Sequence, residues 1–133
     1  MSQPYMLDTN IVSHIMHGWD AALLGKLASV PVGNVVISSI TLAELQYGLH
    51  RKDQPPRLMD AMAQVLLRID VLPWDQAVAL CYGELCATLE AKGINLGELD
   101  MMIAAHAVSV GATLVSRDKA FGQVADRLTV EVW

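Results

Sequence analysis

Five short runs of apolar, largely β-branched residues punctuate this chain, at Tyr5 to Leu7, Val35 to Ile37, Ile69 to Leu72, Thr113 to Val115 and Thr129 to Val132. Between them the apolar residues recur at helical spacing. Strands that alternate with helices build a parallel sheet, since parallel neighbours must be joined by a crossover and a helix is its usual form. The runs are continuously apolar rather than alternating, as in strands covered on both faces. The expectation is an α/β fold, a central parallel β-sheet flanked by α-helices, with residues 1–133 forming a single domain.

Turn signals at His17-Gly18, Pro31 to Asn34, Gln54-Pro55-Pro56, Lys92-Gly93 and Gly111 separate the segments. Leu42, Leu45 and Leu49 predict a helix from Thr41 to His50 that packs on the sheet. Pro56 to Arg68 carries Leu58, Met62 and Val65 on one face with Pro at its entry, an amphipathic segment suited to a partner or to pairing with the Thr41 helix around a groove. A longer helix is predicted from Asp75 to Ala91. Another runs from Asp100 to Val110, ended by Gly111 where a left-handed cap is wanted, and its Ala104, Ala105 and Ala107 permit close approach to neighbours.

Hydrophobic residues make up 53% of the chain and charged residues 17%, a surplus that predicts a surface buried by self-association or by a partner. The longest apolar stretch, Met101 to Val115, is broken by His106, Ser109 and Gly111, so no membrane span is predicted. Met1 to Pro4 shows no basic, cleavable leader, and the expected location is cytoplasmic. Cys81 and Cys86, about 140° apart around a helix, form neither a disulfide framework nor a zinc site and read as core thiols. A net charge of −5 disfavours generic polyanion binding unless some of the acids are neutralised by metal.

Four acids stand where elements begin or end. Asp8 follows the first apolar run and Asp118 follows the fourth through Ser116-Arg117, while Glu44 and Asp100 lie at helix starts. Each has a structural explanation. Asp8, Asn10 and Asp118 suit helix caps, Thr41-x-x-Glu44 matches a capping box, and Asp100, with Glu98 nearby, suits the positive end of a helix. Together they can face one edge of one sheet, where four carboxylates repel unless protons or cations intervene. With all-oxygen donors and no paired His or Cys, the cation expected is Mg²⁺ or Mn²⁺.

Met6-Leu7-Asp8-Thr9-Asn10, Ile37 to Leu45 with Glu44, Asp100-Met101-Met102-Ile103-Ala104-Ala105-His106-Ala107 and Leu114-Val115-Ser116-Arg117-Asp118 together resemble the PIN-domain ribonucleases, and among them the VapC toxins of bacterial VapBC toxin-antitoxin pairs. The resemblance spans essentially the whole chain in order. It implies Asp8 on the middle strand and Mg²⁺- or Mn²⁺-dependent endoribonuclease activity, commonly on tRNA. It also implies inhibition by a VapB-type antitoxin, and homodimers. By position, Asp8, Glu44 and Asp100 match the family's core acids and Asp118 a more variable fourth. Ser116, where Thr is more usual, and Asn10 are possible supporting groups.

The expected reaction is hydrolysis by water, giving 5′-phosphate and 3′-hydroxyl ends. Arg117 and Lys119, flanking Asp118, are the candidate RNA contacts, whereas Arg51, Lys52 and Arg57 read as solvated surface. His14 and His17 read as packing, His106 as a satisfied helix residue, and Trp74 and Trp133 as packing groups. Two alternatives are an inactive PIN-fold binding module and a phosphoryl-accepting receiver-like domain. The receiver lacks its signature here, because Asp8 is followed by Thr9-Asn10 and not by a second acid.

Overall fold

A computed structural model describes residues 3–133; Met1 and Ser2, part of the stretch read for a leader, lie outside the described residues. The elements run β1 (Tyr5–Leu7), α1 (Thr9–His17), α2 (Ala21–Ser29), β2 (Val35–Ser38), α3 (Ser39–Arg51), α4 (Pro56–Arg68), β3 (Asp70–Leu72), α5 (Gln76–Ala91), α6 (Glu98–Val110), β4 (Thr113–Val115), a 3₁₀ turn (Lys119–Val124) and β5 (Val130–Glu131). All strand pairings are parallel, in the order β3-β2-β1-β4-β5. The α/β reading holds, with Asp8 directly after the middle strand.

The strand side chains sort by the two-residue period of the pleat. Leu7, Val35, Ile37 and Val115 point into one apolar layer with Ile11, Val12 and Ile15 of α1, Leu23 and Leu27 of α2, Leu45 and Leu49 of α3 and Met62 and Val65 of α4. Met6, Val36 and Leu114 point the other way, onto Leu85 and Leu89 of α5 and Ile103, Ala104 and Ala107 of α6. Both faces are covered, which is why the strands read as unbroken apolar runs. The chain moves outward from β1 through β2 to β3 and then returns to the opposite side for β4 and β5, so the direction of winding reverses between β1 and β4. The mouth outside the carboxyl ends of those strands is where open parallel sheets bind ligands.

Three local expectations need correction. The capping box does not form: α3 begins at Ser39, with Ser38 Oγ accepting from Ile40 N (3.1 Å), so Thr41 is buried inside the helix and Glu44 is released from any capping duty. The amphipathic α4 matches its predicted span but packs mainly on α1, and the apolar groove along it is walled by α1 and α2, while its Leu58 lines a cavity with Leu45 and Leu49 of α3. Cys81 and Cys86 are half-buried, because Val78, Leu85 and Leu89 form the inward stripe of α5 and the cysteines flank it. Gly111 takes the left-handed conformation (φ 68°) that closes α6, as expected. Among the described residues, no helix is long and apolar enough to cross a membrane.

Candidate active site

Asp8 leaves β1 in an extended conformation and uses both carboxylate oxygens. Oδ1 accepts from Ile11 N (2.9 Å), capping α1, and Oδ2 accepts from Ser116 Oγ (2.5 Å) beyond β4. Only 5% of the residue is exposed. Burial pushes its proton affinity up, the bonds from Ser116 and Ile11 pull it back, Asp118 pushes it up again, and His14 opposes. The cap reading of Asp8 is therefore correct and incomplete. The same carboxylate that starts a helix stands at the reversal point of the sheet.

Ser116 links two acids. Its hydroxyl donates to Asp8 and accepts from Asp118 N (3.0 Å), while Asp118 Oδ1 caps the 3₁₀ turn by accepting from Ala120 N (2.9 Å). Glu44, facing them from the second turn of α3, accepts from Thr9 Oγ1 (2.7 Å), with Thr41 Oγ1 3.4 Å from that hydroxyl. Asp100 is the third residue of α6, which starts at Glu98, and it is half-buried. Its carboxyl is pushed above the ordinary range by burial and then by the charges of Asp118, Glu44 and Asp8. Asp100 thus feels the charges of three acids from other parts of the chain, and Asp8 feels that of Asp118. Glu98 is exposed and its charge is felt by Tyr82 on α5 rather than by this group.

Two cavities open beside the acids. One, of about 270 Å³, is lined by Asp8, Asn10, His14, Arg117 and Asp118. The other, of about 390 Å³, runs from Thr9 and Glu44 between α1 and α3 toward Arg51 and Lys52. Exposed Asn10 lines both and caps nothing, since Asp8 holds that place. Among the described residues, no three acidic, histidine or cysteine side chains close tightly enough on one point to enclose an ion unaided. Asp8 and Asp118 line the smaller cavity and Glu44 the larger, a spacing suited to a hydrated, oxygen-bound cation that keeps several waters.

Arg117 is held by Asp20 (Nη2 to Oδ2, 2.6 Å) and by the Trp133 carbonyl (Nε, 2.9 Å), so part of its charge is already answered, whereas Lys119 is exposed. His106 is fully buried, with Nδ1 2.7 Å from Ser38 Oγ, Nε2 without a protein partner and its proton affinity lowered by burial. Trp74 packs edge-on against Tyr82 and donates to the Met102 carbonyl (3.0 Å), and Trp133 packs against Tyr5. The sequence reading missed Thr9 and His14. Thr9 sits in the quoted Asp8-Thr9-Asn10 run, but its partner lies in another helix; His14 is two turns along α1 from Asp8, a spacing that places it at the same mouth only once Asp8 is known to start that helix.

Comparison with known proteins bears on the family and the fold. The family model of the PIN domain matches residues 5–127. The chain is 34% identical over 131 residues to ribonuclease VapC2 of Rickettsia felis, covering 97% of each, and 34% identical over 129 residues to the tRNA(fMet)-specific endonuclease VapC of Shigella flexneri, again covering 97% of each. Its fold superposes on the crystal structure of VapBC2 from Rickettsia felis bound to a promoter DNA fragment with a TM-score of 0.91 at 32% identity, covering 98% of this chain and 99% of that one. The chain belongs to the PIN-domain family, within the group of VapC ribonucleases.

Proposed function

We propose that this protein is the toxin of a type II toxin-antitoxin pair, a cytoplasmic endoribonuclease that hydrolyses RNA, tRNA foremost, and is neutralised by a VapB-type antitoxin. The observation that carries the reading is Asp100, half-buried and with its proton affinity raised by that burial first and then by the charges of Asp118, Glu44 and Asp8. PIN-domain nucleases depend on divalent metal. The donor set here fits Mg²⁺ or Mn²⁺: carboxylates and a hydroxyl, no thiolate or imidazole pair, and like charges that a cation would relieve. Asp8, Glu44, Asp100 and Asp118 would hold it.

A divalent ion held by these carboxylates would supply Lewis-acid polarisation of the scissile phosphate and a more acidic attacking water. The chain's own work is to hold the carboxylates in place. Ser116 and the Ile11 amide fix Asp8, Thr9 fixes Glu44, and the Ala120 amide fixes Asp118. Asn10 and Lys119 stand at the rim as support and RNA contact, and Arg117 keeps its remaining donors for the same use. Relatives named for tRNA(fMet) cleavage favour tRNA as substrate. For the antitoxin, the cavity of about 200 Å³ between α1, α2 and α4, lined by Ile15, Leu24, Leu27, Ala61 and Val65, suits the apolar face of a partner helix. Exposed Leu67 and Leu80 are apolar surface that a homodimer would cover.

The test is cleavage by antitoxin-free protein. RNA is cut in Mg²⁺ or Mn²⁺ with 5′-phosphate and 3′-hydroxyl ends, cutting stops in excess chelator, and Asp8→Asn folds but does not cut. Cleavage in excess chelator, 2′,3′-cyclic phosphate ends or an undiminished Asp8→Asn each contradicts the reading.

A further inference from the structure

The acid cluster has a second feature beside it that catalysis does not explain. Along α3, Glu44, Tyr47, Gly48 and Arg51 share one face at i, i+3, i+4 and i+7, and all four line the larger cavity. Tyr47 is 66% exposed, unusual for a large aromatic ring unless something covers it, and the Arg51 guanidinium lies 5.7 Å from its ring centre. Gly48 lies inside a helix, where glycine is unfavourable, yet a Cβ there would meet no atom within 4 Å. The helix surface between Tyr47 and Arg51 is open there, as it also is at Gly25 and Gly83 on other helices.

The charge pattern points the same way. Among the described residues, the ion pairs use Lys26, Lys92, Arg117 and Arg127. Arg51 and Lys52 stand outside those pairs and line the end of the cavity away from Glu44, beside a turn in which Asp53 and Gln54 both adopt positive φ (58° and 51°), while Arg57 reaches the His17 carbonyl instead (3.4 Å). In a chain of net charge −5, unpaired cations gathered beside an acidic site mark where a polyanion runs. The apolar groove beside α4 has the opposite character and suits a protein segment.

We propose that the α1–α3 cleft is a subsite for single-stranded RNA, in which an unpaired base stacks on Tyr47 across the Gly48 floor and the adjoining phosphate is held by Arg51 and Lys52. The cleft extends the acid site, and the assignment rests on the reading that the site cleaves RNA. Glu44 to Arg51 spans about 10 Å along the helix, a reach of one or two nucleotides from the scissile bond. Stacking on an aromatic ring requires a base freed from pairing, so the subsite selects loops and ends over duplex.

The test uses the full chain carrying Asp8→Asn in Mg²⁺, with a fluorescent single-stranded oligoribonucleotide of mixed sequence read by anisotropy. Tyr47→Ala is expected to weaken binding about tenfold or more, and Tyr47→Phe to retain it. Arg51→Gln with Lys52→Gln lowers the slope of log affinity against log salt by about 1.4, and Lys92→Gln, which removes a charge elsewhere, leaves the slope unchanged. Gly48→Leu, with thermal melting at least as high as its parent, blocks the floor and weakens binding. Binding within about twofold of the parent for both Tyr47→Ala and the double variant overturns the proposal. So does an equal loss from Lys92→Gln, or unchanged RNA binding in variants that lose a protein partner instead. Cleavage by the wild type is read in parallel: no cleavage with these binding effects intact removes the nuclease reading and leaves the RNA subsite standing.

Discussion

Replacing Ser116 with Ala removes one hydroxyl and disturbs two acids at once. Ser116 is 1% exposed, and its Oγ donates to Asp8 at 2.5 Å while accepting from the Asp118 amide at 3.0 Å. A buried hydrogen bond to an ionised carboxylate contributes about 1.5–3 kcal/mol, and the amide, near the surface where water can replace the partner, about 0.5–1 kcal/mol. Ser116→Ala is thus expected to destabilise the metal-free protein by roughly 2–4 kcal/mol at pH 8, measurable by urea unfolding in chelator. The penalty depends on pH with a defined sign. The hydroxyl favours ionised Asp8, so without it the folded-state proton affinity of Asp8, already raised by burial, rises further. The Ser116 contribution is full above the folded Asp8 pKa of the Ser116→Ala variant and shrinks as the pH falls from there to the lower folded pKa of the wild type, a window above the ordinary 3.8. Ser116→Thr keeps the hydroxyl and retains most of the stability. A penalty below about 0.5 kcal/mol, or one equal at pH 4 and pH 8, refutes the account of Ser116 as the support of a charged Asp8.

Asp100 gives a second pH dependence. Its folded proton affinity is raised, so just above 3.8 the native state holds a proton that the unfolded chain has lost, and metal-free stability falls as the pH rises across that window. Asp100→Asn flattens that part of the profile, is more stable than the wild type at pH 7 in chelator, and gains less melting temperature when Mn²⁺ is added; a less stable Asp100→Asn contradicts the crowding. Thr9→Val leaves Glu44 without its 2.7 Å donor and is expected to lower metal affinity or cleavage about 10- to 100-fold with part of the loss recovered at high metal, as read by cleavage rate against Mn²⁺ concentration. An unchanged metal dependence removes Thr9 as a positioning residue.

How much of this was legible in the sequence varies with the range of the interaction. The strands were readable because their burial on both faces leaves only apolar residues to write them with. The ends of α3 and α6 were less so. Ser38, Ser39 and Thr41 are all plausible caps, and only the Ser38 bond to Ile40 N selects the first. Gly97 precedes α6 without a side-chain cap, so the two residues before Asp100 joined the helix unannounced. The acids themselves were visible as residues at element ends. The hydroxyls that hold them were not, because Thr9 meets Glu44 and Ser116 meets Asp8 only once β1 lies between β2 and β4. Arg117 shows the same limit from the other side: its neighbour in sequence is Asp118, but its charge partner is Asp20.

Helix α1 contributes to all three cavities, with Thr9 and His17 in one, Asp8's neighbours Ile11 and His14 in another, and Ile15 in the third. Its remaining apolar positions, Val12 among them, face the core. No side of this short segment is free to drift. A change fixed here for the sake of one ligand alters the walls seen by the others, so inhibitor recognition and substrate choice in this protein are expected to diverge together rather than one at a time.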